Sequence, residues 1–134
     1  LSAIDSCGVT ATTVLGGALA IPDAVLADLP KPTRLSGPDR YETCRLIAEA
    51  SLAAGFSDEA VYLAIGANFP DALSAGAASA ARGIPVLLVR DPLPAPAITY
   101  ATDHAGVLWE VIPVGGTVVV PESVVTAFKD VLTD

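Results

Sequence analysis

The sequence predicts a three-layer α/β fold, a mainly parallel sheet with helices on both faces, and three observations carry that prediction. Short apolar runs that read as strands alternate with helical stretches of roughly 10–15 residues, and this alternation calls for crossover connections and a parallel sheet. The two strongest runs, VYLAIG (61–66) and PVLLV (85–89), are apolar on both faces, as in strands covered from above and below. The helix expected between them, about 70–82, is almost all Ala, Ser and Gly, and such small side chains let it lie close against a sheet or another helix.

Each element follows from local signals. TRLSG (33–37) reads as a short strand. Residues 41–54 carry apolar or small side chains at 44, 47, 48, 51 and 52, a helical stripe, and Gly55 follows as a stop. After the strand 61–66, Pro70 suits the first turn of a helix and Asp71 complements the positive end of its dipole. Gly83 ends that helix ahead of PVLLV. The Pro-rich connection DPLPAP leads to a helix near 96–104, then a strand at 107–114 in which Pro113 marks an edge or a bulge. Gly115-Gly116 turn the chain, VVV (118–120) reads as short and extended, and Pro121 opens a last helix to about 132. The closest architectures are Rossmann-like, flavodoxin-like or Toprim-like.

An internal repeat organises the chain. Residues 12–29, TTVLGGALAIPDAVLADL, align without gaps to 111–128, VIPVGGTVVVPESVVTAF, at an offset of 99. Gly16-Gly17 fall on Gly115-Gly116, Pro22 on Pro121, Asp23 on Glu122 and Val25 on Val124. The expected organisation is therefore residues 1–30 as the carboxyl-terminal tail of a preceding repeat, strand, Gly-Gly and helix, with residues 31–134 as one complete repeat.

Composition bounds the function. In 134 residues, 52% are hydrophobic and 16% charged, which excludes a disordered segment. No apolar run reaches the roughly 18–20 residues of a membrane span. The opening LSAIDSCGVT lacks the basic-then-apolar pattern of a secretory signal and the chain has no Met, so a fragment or a processed chain is expected. A net charge of −8 argues against nucleic acid as partner. Yet Lys31, Arg34, Arg40 and Arg45 face only Asp39 and Glu42 in one window, which is locally +2. That window is either a loop of internally paired arginines or a local anion site.

Few constellations could do chemistry. Neither nucleotide fingerprint, GxGxxG after a strand or GxxxxGK[ST], is present, so no cofactor is expected. Cys7 and Cys44 fit no metal motif; Cys44 reads as a packed thiol, with a Cys7–Cys44 disulfide the alternative in an exported protein. His104 is the lone histidine and reads as a surface residue near a helix end. Asn68, Asp71 and Ser74, in the loop GANFPDALSAG, fall at the carboxyl end of a strand, where open α/β sheets bind ligands. The plainer reading has Asn68 capping the helix, Asp71 answering its dipole and Ser74 packing.

RLSGPDRYET (34–43), VYLAIGANFPDALSAG (61–76) and VIPVGG (111–116) together resemble the cell wall-binding repeat 2 family. Its members show R-[IL]-x-G-x-[DN]-R-[YF]-x-T, then G-x-N-[FY]-x-D-[AS]-L, then a [VI]-x-[VI]-G-G turn. The motif positions fall on Arg34, Gly37, Asp39, Arg40 and Thr43, and on Asn68, Asp71 and Leu73. Cys44, where the family carries a small residue, and Pro113 depart from the pattern outside the motifs. The resemblance implies a secreted, non-catalytic module at the cell surface of a Gram-positive bacterium, one that anchors its parent protein to an anionic wall polymer. It also implies packing with neighbouring repeats around a pseudo-threefold axis, which a homotrimer or an exchanged tail could restore here. Arg34 and Arg40 are the expected polymer contacts, with Asn68, Asp71 and Ser74 shaping the groove. Two other readings stand beside it: a small-molecule or nucleotide-binding α/β domain, and a hydrolase using Asp71 with Ser74 or His104.

Overall fold

Along the chain, the computed structural model describes residues 2–133 as α1 (Ser2–Ser6), β1 (Thr12–Leu15), α2 (Asp23–Leu26), β2 (Pro32–Leu35), α3 (Arg40–Ala53), β3 (Ala60–Ile65), α4 (Phe69–Arg82), β4 (Val86–Val89), α5 (Ala95–Asp103), β5 (Glu110–Pro113) and α6 (Glu122–Thr133). Every strand pairing is parallel, as the crossovers require. The expected α/β architecture is what forms, but the strands divide into two sheets. β4, β3 and β5 make a three-stranded sheet with β3 at its centre, while β1 and β2 make a separate pair. β2 pairs with the tail strand β1 rather than within the larger sheet, in the register Thr12↔Pro32 to Leu15↔Leu35.

β3 is apolar on both faces because both are covered. Val61 and Leu63 point into a core with Leu87, Val89, Tyr100, Val124 and Phe128, built by α5 and α6. Ala60, Tyr62 and Ala64 point the other way, against Ala75 and Ile84 of the α4 side. The small residues of α4 give a thin layer there, and its end is fixed by Gly83 at φ 66, a left-handed cap. α3 packs along β4: Ala48 is buried in the larger core, and the Cys44 thiol donates to Val86 O at 3.3 Å. Burial pushes the Cys44 thiol pKa up, so the sulfur behaves as a packed apolar group. Cys7 is exposed and both cysteines are free thiols.

Two local expectations change, and one short helix was not foreseen. The strand at 107–114 shortens to Glu110–Pro113, because Val107 and Leu108 donate back to His104 O and close a turn after α5. VVV (118–120) is not extended: Val119 N and Val120 N both donate to Gly116 O, at 2.8 and 3.0 Å. The short helix α1 carried no signal that distinguished it from a loop.

The two Gly-Gly segments adopt one conformation. In the tail, Ala20 N and Ile21 N donate to Gly17 O and Val25 N to Pro22 O. At the offset of 99, Val119 N and Val120 N donate to Gly116 O and Val124 N to Pro121 O. Gly16 and Gly115 open the turns at φ 116 and 100, values open to glycine and strained for other residues. Leu19 and Val118, equivalent in the alignment, are both fully exposed at the tips.

Candidate functional site

The carboxyl ends of β2, β3 and β4 converge on the loops that hold the candidate residues. The segment 34–43 is a chain of local constraints. Asp39 sits at the amino-terminal cap of α3 with extended backbone, and its Oδ1 accepts from Tyr41 N at 2.9 Å and Glu42 N at 2.8 Å. Thr43 Oγ1 donates to Asp39 O at 2.8 Å and accepts from Gly37 N at 2.9 Å, which closes the LSGPD turn. Gly37 lies so close to α3 that a Cβ there would overlap the Glu42 side chain and stand 3.0 Å from Thr43 N. Arg45 chelates the Glu42 carboxylate with Nε at 3.0 Å and Nη2 at 2.7 Å, and so holds Glu42 below the usual carboxylate range.

The two expected polymer-contacting arginines differ in their surroundings. Arg34 turns back onto the tail: Nη1 donates to Gly16 O at 2.5 Å, and Nη2 to Ile21 O and Asp23 Oδ1, both at 2.8 Å. Its carboxylate partner is Asp23, eleven residues upstream, while Asp39 serves the helix cap. Arg40 is exposed, and Gly66 O at 2.6 Å is its one protein acceptor among the described residues. Gly66 is pressed against Tyr41, whose Cε1 would lie 2.6 Å from a Cβ at that position. On the same ring lies Arg90, with its guanidinium carbon 5.3 Å from the centroid. Arg90 escaped the sequence reading, although its place directly after the strand PVLLV could have signalled it.

The second motif completes this edge. Asn68 holds the cap position of α4 with extended backbone, but its side chain makes no capping bond and is exposed. Asp71 is half-buried and leans on the last Gly-Gly turn; its Oδ2 lies 3.0 Å from where a Gly115 Cβ would sit. Ser74 Oγ donates to Pro70 O at 3.3 Å on the outer face of α4. The structure therefore gathers Arg40, Arg90 and Asn68 around Gly66 and Tyr41, while Arg34 belongs to the tail and Asp71 to the Gly115 turn. Among the described residues the ion pairs use Arg34, Arg45, Arg82 and His104, which leaves Arg40 and Arg90 without a carboxylate partner.

Two further features bear on chemistry. His104 caps the carboxyl end of α5, stacks beside Tyr100 at 4.3 Å and approaches Glu49 at 3.3 Å. The helix runs antiparallel to the strands, so His104 lies at the edge of the sheet opposite Asp71 and Ser74. A cleft of about 1130 Å³ opens between α3, α4 and the tail loop, lined by Leu19, Ile47, Ala72, Gly76 and Leu88 and mostly apolar. No group of three or more metal-ligating side chains occurs among the described residues.

Fold and site together define a parallel α/β module with two exposed arginines, Arg40 and Arg90, at its strand ends. The description cell wall binding domain 2 (CWB2) matches residues 34–125, and the chain belongs to that family. It is 40% identical over 81 residues to the N-acetylmuramoyl-L-alanine amidase LytC of Bacillus subtilis (strain 168), a stretch that is 60% of this chain and 16% of the amidase. Among solved structures it resembles Cwp6 from Clostridium difficile, with TM-score 0.77, 19% identity and coverage of 97% of this chain and 21% of the other. Cwp8 from the same organism gives TM-score 0.68 and 23% identity over 90% of this chain and 20% of the other. The chain thus spans about a fifth or less of each relative, and the two structures share its fold.

Proposed function

We propose that the chain is a non-catalytic module that holds a secreted protein on the cell wall of a Gram-positive bacterium by binding an anionic wall polymer. The observation that carries this reading is the pair Arg40 and Arg90, exposed on either side of the Tyr41–Gly66 contact with no carboxylate partner. Arginine offers a planar fork that takes phosphate or carboxylate through two parallel bonds. Arg40 uses one nitrogen on Gly66 O, which fixes its position and leaves the rest of the fork for a ligand. Asn68 adds an exposed amide beside it, and Ser74 a hydroxyl further along α4. Arg34 serves from behind, tying the tail to the strand that leads into the LSGPD turn.

A chain of charge −8 attracts a polyanion only locally, so the contact is weak and salt-sensitive, and several modules acting together supply the strength. A hydrolase is disfavoured because His104 stands across the sheet from Asp71 and Ser74. Purified walls with the anionic polymer retained or stripped test the proposal by co-sedimentation. Retained walls should bring the chain down, and stripped walls should not. Equal binding to both would overturn the assignment of the polymer.

A further inference from the structure

The chain's single tryptophan, Trp109, is 72% exposed, while Tyr100 and Phe128 on the same side of the sheet are fully buried. An indole left in water beside other exposed apolar groups marks a surface that takes a ligand or partner. This indole is also held in place. Trp109 N and Glu110 N both donate to Glu59 O, at 3.0 and 3.1 Å, which seats the residue at the head of β5. Just before it, Gly106 turns at φ 89, Val107 N and Leu108 N donate to His104 O, and the Leu108 side chain is sunk in the larger core. The ring therefore stands out from a backbone fixed on both sides, and little ordering is left for a ligand to impose.

Beside the ring runs a groove of about 500 Å³ between the start of β5 and the last turns of α6, lined by Val107, Trp109, Val111, Lys129, Leu132 and Thr133. Small-molecule sites span about 300–1,000 Å³. The groove has an apolar wall and a polar side. Lys129 and Thr133 are exposed, and Lys129 enters no ion pair among the described residues. In a chain of net charge −8, an ammonium beside a bare indole selects a ligand that has both an apolar face and an acid group. A sugar ring with a carboxylate has both. The axial C–H bonds of a pyranose form an apolar, weakly positive face that lies on the electron-rich face of an indole, while the rim hydroxyls stay in water or reach a hydroxyl such as that of Thr133. An aliphatic or lipid ligand would use the apolar wall and leave Lys129 unanswered.

We infer that the groove between Trp109 and Lys129 is a second binding site, for one acidic sugar ring of a polysaccharide, in which the indole takes the ring face and the ammonium takes the carboxylate. The site lies at the amino ends of the strands, whereas Arg40 and Arg90 lie at the carboxyl ends, so it stands apart from the arginine pair and does not rest on that reading. One ring in an open groove is a weak contact. It does not hold the chain on a wall by itself, and it adds to other contacts through avidity.

Because Trp109 is the only tryptophan, its fluorescence reads the groove directly. The full chain is titrated at fixed ionic strength with a hyaluronan hexasaccharide, which carries glucuronic acid, and with chitohexaose as the neutral counterpart. Saturable emission shifts are expected at millimolar oligosaccharide, with the acidic oligomer bound about two- to fivefold more tightly, the worth of one exposed ion pair. Lys129→Gln should remove that difference. Trp109→Ala, followed by amide shifts in NMR, should lose both ligands with an unchanged circular dichroism spectrum, since the residue is exposed. Arg40→Ala should keep both, which separates a failure here from a failure of the arginine site. No emission change with either oligomer would overturn the inference, and so would equal affinity for the two. An emission that responds to chain concentration and to neither sugar would overturn it as well, because a second copy would then cover the indole.

Discussion

Gly66 shows how a single residue couples the fold to the site. Its carbonyl positions Arg40, and its bare Cα admits the Tyr41 ring on which Arg90 rests. A methyl group at 66 would meet the ring at 2.6 Å, so the ring or the strand end must move. Gly66→Ala should destabilise the chain by about 1–3 kcal/mol in urea unfolding, as overpacking does. Glu42 makes a pH-dependent counterpart. The Arg45 fork lowers its pKa in the folded chain, so its contribution to stability is present above the ordinary glutamate range and is lost as pH falls through the lowered value. The stability gap between wild type and Glu42→Gln, followed by acid titration of unfolding, should therefore be widest near neutral pH and close in strong acid. The half-exposed setting keeps that gap small.

At the scale of elements, α3 depends on its cap. Asp39 satisfies two backbone donors of the first turn, so Asp39→Ala should lose about 1 kcal/mol and Asp39→Asn much less, measured by thermal or urea unfolding. The longer helices and the buried strands were legible in the sequence because they follow from local pattern: the helical stripe of 41–54, Pro70 and Gly83 around α4, and continuous apolar runs for β3 and β4. The likeness of the two Gly-Gly turns was legible because Gly-Gly and Pro recur at fixed separations; the turns share their hydrogen bonds and positive φ, while the helix that follows is four residues long in one segment and twelve in the other. VVV (118–120) misled because β-branched residues favour strands, yet the glycine turn before them sets the backbone. The partners of Arg34 were hidden for another reason. Asp39 is near in sequence, but the parallel pairing of β1 with β2 brings Asp23 and two carbonyls to the guanidinium instead. Arg90 was missed because a charge window sees neighbours along the chain and not the meeting of two strand ends.

For the whole molecule, self-association is the expectation that the exposed tips at Leu19 and Val118 and the apolar cleft beside the tail put to the test. Light scattering should show mass rising above the monomer with concentration, a trimer being the expected closed form; a constant monomer at high concentration would contradict self-association. The central claim, an anionic wall polymer held by the open arginine edge, has a more direct test. Arg40→Lys, Arg40→Ala and Arg90→Ala chains are sedimented with purified walls, beside circular dichroism of each. The account predicts normal spectra, weakened binding for all three, a larger loss for Arg40→Lys than the unchanged charge would suggest, and weaker binding of the wild type as salt rises. Wild-type binding by all three variants with intact spectra would contradict it.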